Sequence, residues 1–275
     1  MLAAAYDGRP PPAAETFHAA DGRGTGLAAV LEGTRLLAAG PAPRRGVMVA
    51  LLDLSDHGEA GARALASMPG PAGSRAVAAI VAERLGRSLG DARPGALFVL
   101  GAERGAGLAS LVEAMRVPPP LTLRALALDL HAEPTSSALP FEEAGWPVLL
   151  VTAGASRDDG TSRDVPDAVA PAALAARTAA LLDLVRRVAD AAVAPAPVEA
   201  PAPRVEEAMT LRALAADLLA RAAALGLDAR RVALVRALVA HLDEVLARGR
   251  VTPGERLTAR LLALQVFAAL QQRDR

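Results

Sequence analysis

Side chains that bind a transition metal or act as nucleophiles are few in this chain of 275 residues. There is no cysteine, and the four histidines are scattered at His18, His57, His131 and His241. Without cysteine the chain has no disulfide, no thiolate zinc site and no cysteine nucleophile. The sequence contains no HExxH, GxSxG or P-loop pattern and no complete GxGxxG. Simple motifs therefore assign no chemistry to this protein.

The elements that must position any site alternate between two periodicities over residues 1–193. Apolar runs of strand length separate segments with helical spacing, which predicts an α/β sandwich with a mixed, mainly parallel sheet. A Pro-rich lead precedes the first helix, and no strand is predicted in it. The predicted strands are 46–54, 76–82, 96–100, 121–130 and 148–152, and the predicted helices are 26–39, 59–68, 106–116, 137–144 and 171–192.

A Pro/Ala-rich linker at 194–204 separates this α/β domain from a helical module at 205–275. Helices are predicted at 205–225, 228–247 and 252–272, the last beginning with a Thr252–Glu255 capping box. Their apolar stripes exceed what three helices can hide among themselves. The module is therefore expected to pack on the α/β domain, or to bind a protein partner or a second copy of the chain.

Four segments in order resemble the co-catalytic zinc exopeptidases, the family of aminopeptidases, glutamate carboxypeptidases, glutaminyl cyclases and the non-catalytic transferrin receptor. ADGRGTGLAAVLEGTRLLAA is similar to the family's GADD turn and helix, and RRGVMVALLDLSDHGEAGARALA to its strand with a Glu-Glu pair. SSALPFEEAGWPVLLVT and DDGTSRDVPDAV resemble its SDH and YHT segments. The resemblance implies the three-layer zinc exopeptidase fold, with its N-terminal strands missing.

The resemblance also implies a two-zinc site whose acidic positions are only partly kept. Its bridging aspartate falls on Asp21, a ligand of the Glu-Glu pair on Asp56, and a third acidic ligand on Glu83. The general base falls on Ser55, which cannot accept a proton as a carboxylate does. These three acids are the candidate metal positions, and no catalytic residue is assigned.

Both histidine ligands of the family pattern lack a counterpart. The YHT histidine falls on Gly160, and the first-strand His-x-Asp motif has no match. The SDH histidine falls on Ala138. Asp21 among glycines also fits a turn former, Asp56 and Glu83 also fit surface acids, and His57 fits a surface histidine.

Two hypotheses follow from this comparison. In the first, the chain is a catalytically degenerate member of the family that serves as a binding or assembly module and needs no cofactor. In the second, it is an active zinc-dependent aminopeptidase or carboxypeptidase, with ligands supplied by a misaligned residue such as His18 or His57 or by an N-terminal region. A relic without a role of its own is a third, weaker reading.

Charge and hydropathy exclude other classes of function. Thirty basic residues balance thirty acidic ones, with a pI near 6.9, so no nucleic-acid partner is expected. No apolar run reaches the ~18 residues of a membrane span. Because the start carries no signal-peptide pattern, the chain as given is expected to be cytoplasmic, or extracytoplasmic if its N-terminus is truncated.

Overall fold

A computed structural model describes residues 1–7, 17–68, 76–89, 95–126, 136–199 and 202–271. The strands in these ranges are β1 Leu2–Ala5, β2 Val49–Leu52, β3 Ala79–Glu83, β4 Ala96–Leu100, β5 Gly105–Ala106, β6 Thr122–Leu126, β7 Val148–Thr152 and β8 Ala196–Pro197. Among the described residues, six strands form one mixed sheet in the order β2-β1-β3-β7-β4-β6. The first four strands of that order run parallel to one another, β4 is antiparallel to β7, and β6 is parallel to β4.

Helices cover both faces of the sheet, which gives the predicted three-layer α/β architecture. One buried cluster joins α1, α3 and α5 to one face, and a second joins α2, α4 and the C-terminal helices to the other. Successive residues of β1 and β3 alternate between the two clusters, as the pleat of a strand requires. The helices are α1 Thr25–Ala39, α2 Ala60–Ser67, α3 Leu108–Glu113, α4 Leu139–Glu143, α5 Pro171–Asp190, α6 Val205–Ala220, α7 Ala229–Ala247 and α8 Pro253–Gln271.

The first strand lies in the lead for which the sequence predicted none. All four residues of β1 are buried, and the strand lies inside the sheet, between the edge strand β2 and β3. Three of the four are alanines, which have weak strand propensity, so tertiary pairing rather than local preference fixes this segment as a strand. The lead before the first helix therefore contains a strand, β1.

The C-terminal helices pack against the α/β domain. Leu214, Leu238 and Leu242 belong to the same buried cluster as Phe98 and Leu150 of the sheet. This is the first of the two arrangements that the apolar stripes predicted. Most of those stripes are therefore covered within one chain.

Part of the predicted linker is held to the domain by backbone pairing. Residues of β8 pair antiparallel with β5, and the Val198 amide donates to the Arg104 carbonyl at 2.9 Å.

No helix in the described ranges is both long enough and apolar enough to span a bilayer.

Candidate functional site

The carboxyl ends of β1, β2, β3 and β7 meet at one edge of the sheet, because these four strands are parallel. Ligand sites of α/β sheets commonly lie at this edge. A cleft of about 380 Å³ opens there. Its lining includes the charged side chains Arg23, Asp56, Glu59, Arg63, Arg84 and Asp159, together with Ser55 and the apolar Phe17 and Leu139.

Asp21, the candidate bridging aspartate, lies behind this cleft and is 1% exposed. Its Oδ1 accepts hydrogen bonds from the amides of Gly86 (2.6 Å) and Arg87 (3.1 Å) and from the Thr25 hydroxyl (3.0 Å). Its Oδ2 is buried without a hydrogen-bond partner. Burial, together with the nearby Asp164 carboxylate, raises the pKa of Asp21. The carboxylate thus ties the first turn of the domain to the loop after β3.

Glu83, the second candidate, ends β3 and is 2% exposed. Its Oε1 accepts from the Ser137 amide at 2.8 Å and the Ser136 hydroxyl at 3.2 Å. Its Oε2 lies 3.3 Å from the guanidinium of Arg84, the next residue. Arg84 also donates from Nε to Asp159 at 2.8 Å. A fixed cation therefore stands beside the carboxylate to which the resemblance assigns a metal.

Asp56, the third candidate, faces a second guanidinium. Its Oδ1 lies 3.8 Å from Nη2 of Arg23, whose side chain is only 11% exposed. Nη1 of Arg23 is buried and has no hydrogen-bond partner. A buried donor without a partner lowers the stability of the folded state by about 1 to 3 kcal/mol. Arg23 therefore has an N–H group that makes no hydrogen bond within the protein.

Ser55, at the general-base position, is buried at the start of the turn that follows β2. Its amide and its hydroxyl both donate to the Asp7 carboxylate, at 2.8 and 2.6 Å. Asp7 lies two residues after the end of β1, so this contact joins the end of β1 to the turn after β2.

Glu59 is a site residue that the sequence analysis did not single out. It immediately precedes α2, has a left-handed backbone with φ of 59°, and is 5% exposed. The Ser137 hydroxyl donates to its Oε2 at 2.6 Å, whereas its Oε1 is buried without a partner. Burial first, then the nearby Glu83 and Asp7 carboxylates, raise the pKa of Glu59 to about 7.

The histidines do not join these acids within the part of the chain that the structure describes. His18 and His57 are exposed, and Nε2 of His241 lies 3.1 Å from the Glu255 carbonyl in the C-terminal module. His131 lies outside the described residues. Gly160 lines the cleft, and Ala138 is buried in the core.

The residues described here do not fit a pair of zinc ions. Among them, no three His, Asp or Glu side chains are grouped so that they could hold a metal. Oδ1 of Asp21 and Oε1 of Glu83 accept internal hydrogen bonds, and Oδ1 of Asp56 and Oε2 of Glu83 lie beside the guanidinium groups of Arg23 and Arg84. Zinc in such sites prefers imidazole ligands, and none of the described histidines reaches the cleft lining.

Sequence reasoning missed Arg23, Glu59, Arg84 and Asp159 because none of them matches a family motif. One signal was available: Arg84 and Glu59 come two and five residues after the ends of the predicted strands 76–82 and 46–54. Polar residues at the carboxyl ends of parallel strands converge at one edge of a sheet. Their convergence could have been predicted only with the order of the strands, which the sequence does not state.

The fold is similar to that of solved aminopeptidases. The structure resembles a zinc aminopeptidase from Bacillus subtilis, with a TM-score of 0.57 and 16% identity over 73% of this chain and 48% of the other. It also resembles Porphyromonas gingivalis glutaminyl cyclase (0.51, 22%, over 67% and 71%) and the gamma-secretase component nicastrin (0.52, 15%, over 72% and 41%).

At these identities the likeness concerns the fold alone. The chain spans about half the length of the aminopeptidases it matches. A comparison with protein-family models gives no match, and neither does one with curated proteins.

Proposed function

We propose that this protein is a catalytically degenerate zinc-peptidase-like protein that acts as a binding or assembly module. The observation that carries the proposal is the placement of two guanidinium groups against the candidate metal positions. Arg84 contacts Glu83 at 3.3 Å, and Arg23 lies 3.8 Å from Asp56. Each cation compensates a carboxylate charge that a zinc ion would otherwise neutralise.

The general-base position supports the same conclusion. The Ser55 hydroxyl donates a hydrogen bond to Asp7, and a serine is not a carboxylate that could take a proton from water. In the family a glutamate takes a proton from water, and a serine cannot perform this step. Such proton transfers contribute about 10² to 10⁴-fold in rate.

The assembly role rests on the surface that the C-terminal helices leave open. Met209 of α6 and Leu257 and Leu261 of α8 are each more than half exposed. One structural neighbour, nicastrin, is itself a component of gamma-secretase. Association of this chain with a protein partner or a second copy is therefore part of the proposal.

The test is turnover of an aminopeptidase and carboxypeptidase substrate panel with added zinc, with and without a chelator. We expect no chelator-sensitive hydrolysis by the unmodified protein. Asp21→Ala serves as the matched variant. Chelator-sensitive turnover that Asp21→Ala abolishes would establish instead the alternative, an active zinc-dependent peptidase.

A further inference from the structure

One edge of the main sheet is open in the part of the chain that the structure describes. The edge strand β2 pairs with β1 on one side, and no described strand pairs with its other side. The Leu2 amide donates to the Met48 carbonyl at 2.8 Å, and the Tyr6 amide donates to the Leu52 carbonyl at 3.0 Å. Even-numbered residues of β2 therefore bond to β1, and the N–H and C=O groups of odd-numbered residues face outward.

The outward-facing groups lie in a run without protection against pairing. No hydrogen bond to another described residue engages the amides and carbonyls of Val47, Val49 and Leu51. Residues 46–52 contain no proline and no charged side chain, which are the usual means of protecting an open edge. The opposite edge strand, β6, contains Arg124 and is contacted by α6. The edge at β2 thus offers a template for another strand.

The free groups are bounded on both sides by groups that are already engaged. On one side the Arg45 amide donates to the Ala189 carbonyl at 3.2 Å. On the other side the Asp53 carbonyl accepts from the Gly61 amide at 3.1 Å. The free stretch therefore covers residues 47–51, and Val49 is its midpoint.

The same stretch in a second copy of the chain fits this edge. A twofold axis perpendicular to the sheet makes the two β2 strands antiparallel. Centred on Val49, it sets Val47 of each copy opposite Leu51 of the other. Each of these pairs exchanges two backbone hydrogen bonds, as does Val49 with its own copy. An axis at Met48 or Ala50 would instead bring one of the engaged groups opposite a free one.

The charges at the ends of the stretch also complement those of a second copy. Arg44 and Arg45 precede it, and Asp53 follows it. In an antiparallel pair each Asp53 lies at the end where the other strand has its arginines, whereas a parallel pair would place like charges together. Leu51, which is 46% exposed, gains cover from Val47 of the other copy. Charge and apolar side chains thus favour the antiparallel arrangement.

We propose that this protein forms a twofold-symmetric dimer in which the β2 strands of two copies pair antiparallel about Val49 and join the two sheets into one. This surface differs from that of Met209, Leu257 and Leu261, which lie on α6 and α8. The inference goes beyond the proposed function, because it names another surface and commits to a second copy as its occupant. It holds whether or not the cleft hydrolyses peptides.

The experiment measures the mass of the full chain by sedimentation velocity, from micromolar to several hundred micromolar protein. We expect the average mass to rise from that of one chain toward that of two. Val49→Pro removes the outward amide, and with it both hydrogen bonds of the central pair, but no bond to β1. Proline is tolerated at the first residue of an edge strand. The variant should raise the dissociation constant of the dimer by at least about tenfold.

A second variant and its matched control test the same edge through a side chain. Leu51→Lys places a charge on the open edge, which disfavours edge pairing, and it should also weaken the dimer. Leu257→Lys makes the same change on α8, at a residue that is 55% exposed, and should leave the dimer unchanged. Thermal melting confirms that each variant is folded.

Single cysteines report the register directly, because the chain has none of its own. Opposite Cα atoms in a hydrogen-bonded antiparallel pair are about 5.5 Å apart, a separation that a disulfide can span. Val49→Cys should therefore form a crosslinked dimer under mild oxidation, and Leu257→Cys should not. Leu51→Cys should crosslink with Val47→Cys in a mixture more than with itself.

Three results overturn the inference: the mass of a single chain at every concentration, a dimer that neither Val49→Pro nor Leu51→Lys weakens, or crosslinking of Leu257→Cys as strong as that of Val49→Cys. The last result would assign the association to the C-terminal helices. Each can occur while the peptidase panel still shows no turnover. Failure of the proposed function is instead signalled by chelator-sensitive hydrolysis, which is measured independently of mass.

Discussion

Ser55 and Asp7 form a paired contact, in which the backbone amide and the hydroxyl of the serine both donate to one carboxylate, at 2.8 and 2.6 Å. The contact joins the loop after β2 to the end of β1. It uses the side chain at the general-base position as a hydrogen-bond donor. Ser55 thus has a structural role in this chain. Its hydroxyl donates a hydrogen bond, whereas a general base accepts a proton.

Substitution at this position should cost stability without creating a peptidase. Ser55→Glu places a carboxylate beside Asp7 and near Glu59, and we expect a loss of about 1 to 3 kcal/mol in the free energy of unfolding. Ser55→Ala removes only the hydroxyl donor and should cost less. Urea denaturation measures both variants, and zinc-dependent hydrolysis by Ser55→Glu would contradict this account of the site.

Two glycines of α1 should respond differently to alanine. A β carbon at Gly26 would lie 2.3 Å from the Ala82 carbonyl oxygen of β3, whereas one at Gly33 would meet nothing nearer than 3.9 Å. Gly26→Ala should therefore destabilise the protein by about 1 to 3 kcal/mol. Gly33→Ala, the matched control, should be neutral or stabilise by up to about 1 kcal/mol. Equal thermal melting of the two variants would show that α1 does not approach β3 this closely.

Stability should decrease from pH 5 to pH 8 because of a carboxyl group between α6 and α8. Burial is the main cause that raises the pKa of Glu207 to about 7, from an ordinary 4.5, against the opposing effect of Arg256. A carboxyl whose folded-state pKa is raised stabilises the folded state below its unfolded pKa, and that stabilisation is lost as pH rises toward the folded pKa. The expected loss is on the order of 1 to 3 kcal/mol.

A pair of variants isolates this effect. Glu207→Gln cannot ionise, so its unfolding free energy should decline less with pH than that of the unmodified protein. Glu206→Gln changes the neighbouring residue, whose side chain is 67% exposed, and should leave the decline unchanged. Denaturation at pH 5, 6, 7 and 8 gives the comparison, and parallel curves for all three proteins would exclude Glu207 as the source.

Removal of the C-terminal helices should expose one face of the sheet. A chain that ends at Ala194 lacks α6–α8, which share a buried cluster with β4 and β7. It should aggregate or form larger species by light scattering. In the full chain, Leu214→Ala, at a side chain 1% exposed, should cost about 2 to 5 kcal/mol. A soluble truncated monomer of unchanged stability would show that the helices are dispensable for the fold.

Local pattern was sufficient for most of the elements. The strands at 96–100 and 148–152 lie where the apolar runs predicted them, and α7 and α8 lie within one or two residues of their predicted bounds. The capping box at Thr252 and Glu255 is formed, with the amide of each helix-start residue satisfied by the other's side chain. Helical periodicity, continuous apolar runs and end signals are encoded over short distances, and burial reinforces them here.

The sequence by itself determined the fold class, the order of most elements and the small number of histidines, because each of these depends on residue type and near-neighbour spacing. Only the tertiary structure decided which side chains meet in the cleft. Arg23, Glu59, Arg84 and Asp159 come from four separate segments, and the parallel alignment of β1, β2, β3 and β7 brings those segments together. The same applies to β1, whose alanines form an interior strand through pairing on both edges. Contacts between distant segments depend on strand order and register, which no local pattern specifies.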